Sequence, residues 1–443
     1  MAVGFLALDT WLDDSWERPF WLETSAEGAQ TVLSTISGGT ITVAGVVLSM
    51  TMVTLSIISS QFGSRVLRSL LGDRITQWTI GAFLGTTVYS LLVLKMVHKL
   101  GDKNFFVPHL SVMAAIVFAL SSLLILLYFI HHVTRIAQAP EIVAMLGHDL
   151  HSSIDRIFPE QIGDPTPTDV ERHDGLPDDV RDALIHGTRI YSQHEGYIQA
   201  IEAQMLLDWA IEFDAVLRLP KRPGDFLAQE ECLAIVACSH EIDEEACTWQ
   251  INRAFIFGNV RTPRQDVNCA VHELSQMAVR ALSPGINDPY TAINCIDRLS
   301  SALAHLARRS MPDSNRYDKA GNLRLVVDRQ AFRSVLFAAF DQIRYEAVRS
   351  VAVSQRLMEA FERIASNVTL PDQAEAVLHQ ARLTMEGLLE EVHHPSDVQI
   401  LQEQFAQLSQ WLQAVIEQRD KLPAQGPNGD LDEEGGATGE VIG

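Results

Sequence analysis

The chain has 443 residues, too many for one ordinary core, so about two or three structural units are expected. Its 34 basic residues stand against 56 acidic ones, net −22, which excludes the basic footprint of a nucleic-acid binder. Apolar residues at 47% exclude a disordered chain, and a mean hydropathy of +0.07 in so acidic a sequence points to a very apolar part joined to a polar one.

Residues 1–31 form an acidic, Trp-rich segment, with Asp9, Asp13, Asp14, Glu17, Glu23 and Glu27 around Trp11, Trp16 and Trp21. Its start does not read as a secretory signal: it has no basic n-region, and Asp9 interrupts a short apolar run. No charged residue lies between Glu27 and Arg65, between Arg74 and Lys95, or between Lys103 and Arg135. Since about 20 helical residues cross a hydrocarbon core, spans are expected at about 32–60, 75–94 and 110–130, in a transmembrane domain over 32–134. A buried soluble helix would account for one such run, but three in succession argue for a membrane.

The loop after the first span carries Arg65, Arg68 and Arg74 against Asp73, which the positive-inside rule places in the cytoplasm together with everything after the third span. Lys95, Lys99 and Lys103 in the next loop disagree with that assignment. All five cysteines lie beyond the spans and none forms a CxxC pair, as suits thiols in a reducing compartment.

Along the first span Thr35, Gly38, Thr42, Gly45, Ser49, Met52, Ser56 and Ser59 recur every three or four residues, backed by valine, leucine and isoleucine. This small, weakly polar stripe is a candidate packing seam, against another helix or a second copy of the chain, or a pore wall lined by hydroxyls. The two can coexist in a homo-oligomer. No acidic or basic residue lies within a span, which counts against an ion-coupled carrier. His109, His131 and His132 fall at span ends and read as interfacial groups.

Residues 135–194 read as a juxtamembrane helix, continuing the third span to about His151, followed by a Pro/Asp/Gly-rich linker at 159–177. His148 and His151 have no further ligand set beside them, so an exposed helix face is expected rather than a metal site. Residues 195–240 hold short alternating runs and the turn Arg222-Pro223-Gly224-Asp225, a small β unit. Residues 241–418 are expected to be a helical soluble domain and 419–443 a disordered acidic tail. Ser283-Pro284-Gly285-Ile286-Asn287-Asp288-Pro289 breaks the helical pattern: Asp288 can cap the next helix, Pro289 suits its first position, and Gly285 can take a left-handed turn. Ser396 can cap the final helix. The fold class is therefore mainly α: a transmembrane helix bundle followed by an α+β soluble domain with a small β unit and a helical C-terminal part.

The stretch Arg280-Ala281-Leu282-Ser283-Pro284-Gly285-Ile286-Asn287-Asp288-Pro289-Tyr290-Thr291-Ala292 resembles the signature of the DUF2254 family of bacterial predicted membrane proteins. Segments 33–36, 45–47, 59–62, 106–112 and 223–226 match the same pattern. The resemblance runs over about 29–366 and implies a multi-pass protein of the bacterial plasma membrane, with no assigned activity or catalytic residues. Family members usually begin with two further spans, so either the start codon is set too late or this member is shortened.

No phosphate loop, GxSxG, HExxH or paired-cysteine site is present, so no enzyme, metal or cofactor is expected. The preferred reading is a channel- or transporter-like protein with a cytoplasmic regulatory domain. The alternative is a membrane-anchored sensor or scaffold without conduction. Its expected partners are the lipid bilayer and copies of itself. Ser283, Pro284, Gly285, Asn287, Asp288 and Pro289 are candidates for contacting a ligand or another surface.

Overall fold

The computed structural model describes residues 25–62, 74–97, 99–100, 104–105, 107–136, 138–158, 178–238, 240, 243–309, 311, 314–328, 331–391 and 394–418. The acidic segment 1–24, Arg65, Arg68, Lys103 and the tail 419–443 fall outside them.

Three long apolar helices come first: α1 (Ala26–Phe62), α2 (Arg74–Met96) and α3 (His109–Ile136). Among the described residues these are the helices long and apolar enough to cross a membrane. A short antiparallel pair, β1 (Lys99–Leu100) and β2 (Asn104–Phe105), joins α2 to α3. The helices are tied by hydroxyl and amide groups. Gln30 donates to the Val97 carbonyl at 3.0 Å and Thr40 meets Thr87 at 2.7 Å, so α1 and α2 run antiparallel. Thr86 meets Ser122 at 3.1 Å and the Tyr89 hydroxyl donates to the Ser111 carbonyl, fixing α3 against α2. Such interhelical bonds contribute about 0.6 kcal/mol each in a membrane. The ends of α1 and α3 and the start of α2 therefore share one side. There Trp78 and Tyr128 are exposed, one to two turns inside Arg74 and Arg135, the order of an aromatic belt and its basic flank.

The third apolar helix does not run on to His151. It stops at Ile136; Gln138 is extended (φ −82°, ψ 130°) and α4 (Ala139–Ile157) begins beyond it. Pro140 explains the break: in a continuous helix it would lack the N–H for the Ile136 carbonyl and its ring would clash there, whereas proline suits a first helical turn.

The soluble region has two parts. The helical part packs α4, α8 (Val267–Leu282), α9 (Pro289–Ala307), α10 (Phe332–Ala347), α11 (Val351–Ala365), α12 (Pro371–Glu390) and α13 (Pro395–Gln418) around one core. The helix α8 begins at Val267, where Asp266 is its N-cap. Ser396 is not a cap: α13 already includes Pro395, and the Ser396 hydroxyl lies 2.6 Å from His394 Nδ1.

The rest is an α/β part: α5 (Asp178–Ile185), β3 (Thr188–Tyr191), β4 (Gly196–Ile201), α6 (Ala203–Glu212), β5 (Ala215–Leu219), β6 (Phe226–Leu227), β7 (Cys232–Cys238), α7 (Glu244–Arg253), β8 (Phe255–Gly258), β9 (Asn315–Tyr317) and β10 (Leu323–Val327). The described strands form a sheet of order β3-β7-β5-β10-β9 and a smaller one, β6-β4-β8. The sheets are not confined to 195–240. β3 precedes that range, β8 follows it, and β10 returns from beyond α9 to pair in parallel with β5.

Side-chain pairings orient the helical part. Arg298 of α9 lies against Gly147 of α4, while Asp155 near the end of α4 meets His305 and Arg309 at 2.7 and 2.5 Å. The helices α4 and α9 are thus parallel and start at the same end. Arg363 bonds Ser300 and Arg308 bonds Asn367, so α11 is parallel to α9 as well. Gly387 of α12 abuts Val348, in the turn between α10 and α11. The start of α4, the 283–288 loop, the α10–α11 turn and the end of α12 therefore share the end nearest α3. Ile58 of α1 joins the helical core. The α/β part attaches at the far end, where Arg156 donates to the Pro263 carbonyl and Gln265 pairs with the Ile201 backbone.

Candidate functional site

The stripe on α1 faces outward. Thr35, Gly38, Thr42, Gly45, Ser49, Met52 and Ser56 are all exposed, and a β-carbon at Gly38 or Gly45 would meet no atom within 4 Å. Packing inside the chain uses the adjacent face instead: Ala29, Leu33, Ser37, Thr40, Ala44 and Val47 are buried. The hydroxyls of Thr35 and Thr42 bond the carbonyls of Thr31 and Gly38, so they offer oxygen acceptors outward and keep their protons on the helix. A flat, glycine-notched surface of this kind lets a second helix come close.

Thr40, Thr86, Thr87 and Ser122 were the polar residues that sequence reading missed. Thr79, Thr86, Thr87 and Ser90 are all buried on α2, and that 3/4/7 spacing was the available signal.

The second candidate is the 283–291 loop. Ser283 ends α8, its hydroxyl donating to the Arg280 carbonyl at 2.6 Å. Its own carbonyl accepts from Ile286 and Asn287 N–H, and the Asp288 N–H reaches back to the Ala281 carbonyl. The left-handed residue is Asn287 (φ 50°), not Gly285; asparagine is among the few non-glycine residues that adopt this conformation readily. Asp288 is the N-cap of α9, accepting from Thr291 N–H at 3.1 Å and from the Thr291 hydroxyl, with Pro289 in the first turn. The Ile286, Asn287 and Asp288 N–H groups are thus bonded within the turn, while Pro284, Gly285, Ile286, Asn287 and Tyr290 stand exposed. Below it, a cleft of about 410 Å³ opens between α4, α9 and α11, lined by Pro140, Val143, Asn294, Asp297, Arg298, Ser301 and Arg363. Arg356 pairs with Glu359 at 2.9 Å and Arg363 donates to the Ser300 hydroxyl at 2.5 Å, and both also approach Asp297, at 3.6 and 3.4 Å.

Among the described residues no group of three or more His, Cys, Asp or Glu is placed to hold a metal ion. His151 lies beside the Gly147 carbonyl and tilts against His305, which bonds Asp155. That bond, with Arg309 beside it, holds the Asp155 carboxyl below its ordinary value. Burial pushes the Cys295 thiol up and the Cys247 thiol up to about 11, the opposite of a reactive thiolate.

Three membrane-length apolar helices feeding a soluble helical part, with an α/β part at its far end, define the class: a membrane protein with a large soluble region. The chain belongs to the DUF2254 family, described as predicted membrane protein, whose model matches residues 1–363. It is similar to an uncharacterized protein of Mycobacterium tuberculosis, 29% identical over 377 residues, covering 83% of this chain and 70% of that one. An uncharacterized protein of Mycobacterium bovis matches with the same identity and coverage. No solved structure matches.

Proposed function

We propose that the three helices span the bacterial plasma membrane, that copies of the chain meet along the α1 stripe, and that the assembly conducts an ion or small solute as a channel- or transporter-like protein. The outward, open face of Thr35, Gly38, Thr42, Gly45 and Ser49 carries this reading, because a bilayer alone gives no reason for a small, hydroxyl-bearing surface on one side of an apolar helix. The soluble region is then cytoplasmic, with Arg65, Arg68, Arg74 and Arg135 on its side, and acts as a regulatory domain.

Flux from liposomes tests conduction. Purified protein should release a trapped ion or small solute, and Gly45→Leu should reduce that release. A tight vesicle under varied ions and solutes favours the second reading, a membrane-anchored sensor or scaffold. A periplasm-specific reporter fused after Gly443 should stay silent; an active one contradicts the orientation.

A further inference from the structure

The end of the helical part nearest α3 carries apolar side chains that its core does not use. Ile286 is 46% exposed and Tyr290 78%, both at the 283–291 loop; Tyr345, at the end of α10, is 69% exposed, and Leu389, at the end of α12, is exposed as well. Three segments far apart in the chain thus bring large apolar groups to one end. Arg280 and Arg349 are exposed at the same end. The α/β part attaches at the opposite end.

The distance to the bilayer is short. α4 begins four residues after Arg135, a link of at most about 14 Å, and α9 starts level with α4. Ile58, near the end of the apolar α1, already packs into the helical core. Tyrosine with flanking arginine is the chemistry that favours the headgroup layer, since its ring is apolar and its hydroxyl is wet. We infer that Ile286, Tyr290, Tyr345 and Leu389 form a platform that rests in the headgroup layer of the same bilayer, with the 283–291 loop as its central contact. The loop's hydrogen bonding fits this role: the Ile286, Asn287 and Asp288 N–H groups are tied back to Ser283 and Ala281, and Asn287 turns the chain while Ile286 and Tyr290 stay exposed. This rests on the membrane-spanning reading of α1, α2 and α3.

The test uses the full chain in phosphatidylcholine nanodiscs with nitroxide quenchers on either the headgroup or the acyl chain. Single tryptophans are added and the emission of the parent is subtracted. Leu124→Trp, on the exposed face of α3, reports the span; Leu370→Trp, exposed at the opposite end of the helical part, is the control. The headgroup quencher should suppress Ile286→Trp and Tyr290→Trp and spare Leu370→Trp, while the acyl quencher suppresses Leu124→Trp. Unquenched tryptophan at 286 and 290 beside a quenched one at 124 overturns the platform and leaves the span standing. An unquenched tryptophan at 124 overturns the span and, with it, the platform. Equal quenching at 290 and 370 also overturns the platform.

Discussion

Gly224 and Asp266 meet where the α/β part joins the helical part: a β-carbon on Gly224 would collide with the Asp266 carboxylate. That carboxylate is buried, caps α8 through Cys269 N–H, and is gripped by Arg261 at 2.7 Å. Burial pushes its carboxyl up, against the pull of Arg261. The Pro223-Gly224-Asp225-Phe226 turn is therefore a joint as well as a turn.

Gly224 also sits at φ 96°, where side chains are strained. Gly224→Ala should destabilise by about 2 kcal/mol or more, adding backbone strain of about 1–3 kcal/mol to the disturbance of a cap worth about 1 kcal/mol. Gly321→Ala is the control: its φ is 84° but its β-carbon meets no atom within 4 Å, so only the strain remains. Chemical denaturation of both variants measures the difference, and equal losses would show that the Asp266 contact contributes nothing.

At Asp288 the cap can be separated from any further role. Asp288→Ala should cost about 1 kcal/mol, whereas Asp288→Asn retains an oxygen for Thr291 N–H and should leave the melting temperature nearly unchanged. A loss of activity or phenotype in Asp288→Asn with unchanged melting would assign the carboxylate a task beyond the helix start. Unchanged melting with unchanged phenotype would leave it as the cap alone.

The cap and proline of α9 were legible because both act within four residues. The sheet was not: β10 pairs with β5 across about a hundred intervening residues, and nothing local in Leu323–Val327 names its partner. The stripe on α1 illustrates a different limit. Lipid and neighbouring helix are equally apolar, so the pattern revealed a distinctive face without revealing that Thr40 and Ala44, one step round the helix, make the contact inside the chain. Pro140 marks the break in the juxtamembrane stretch, although the hydrophobic pattern runs on across it.

Acid should weaken one fastening of the sheet. Buried Arg324 bonds Asp214 and Asp318 at 2.6 and 2.8 Å. Partial burial pushes the Asp318 carboxyl up, but bonds from Asn322, Arg324 and Ala320 outweigh it and hold it at about 2. A depressed carboxyl contributes stability that is fully present above its unfolded value of about 3.9 and is lost as pH falls toward the folded value. Asp318→Asn should therefore lower the melting temperature at pH 7 and at pH 5, with the gap narrowing below pH 4 and closing near pH 2. A gap that does not change with pH would mean that the charge is not what Arg324 holds.

Disulfide cross-linking along α1 in native membranes addresses self-association most directly. Single cysteines replace residues 35–56 one at a time, in a background whose five native thiols are accounted for by the parent. The predicted yield of cross-linked dimer peaks at Thr35, Gly38, Thr42, Gly45 and Ser49 and falls at Val46 and Val53, which are exposed on the same helix but off the stripe. Cross-linking that is absent, uniform along α1, or centred on Val46 and Val53 would contradict the account.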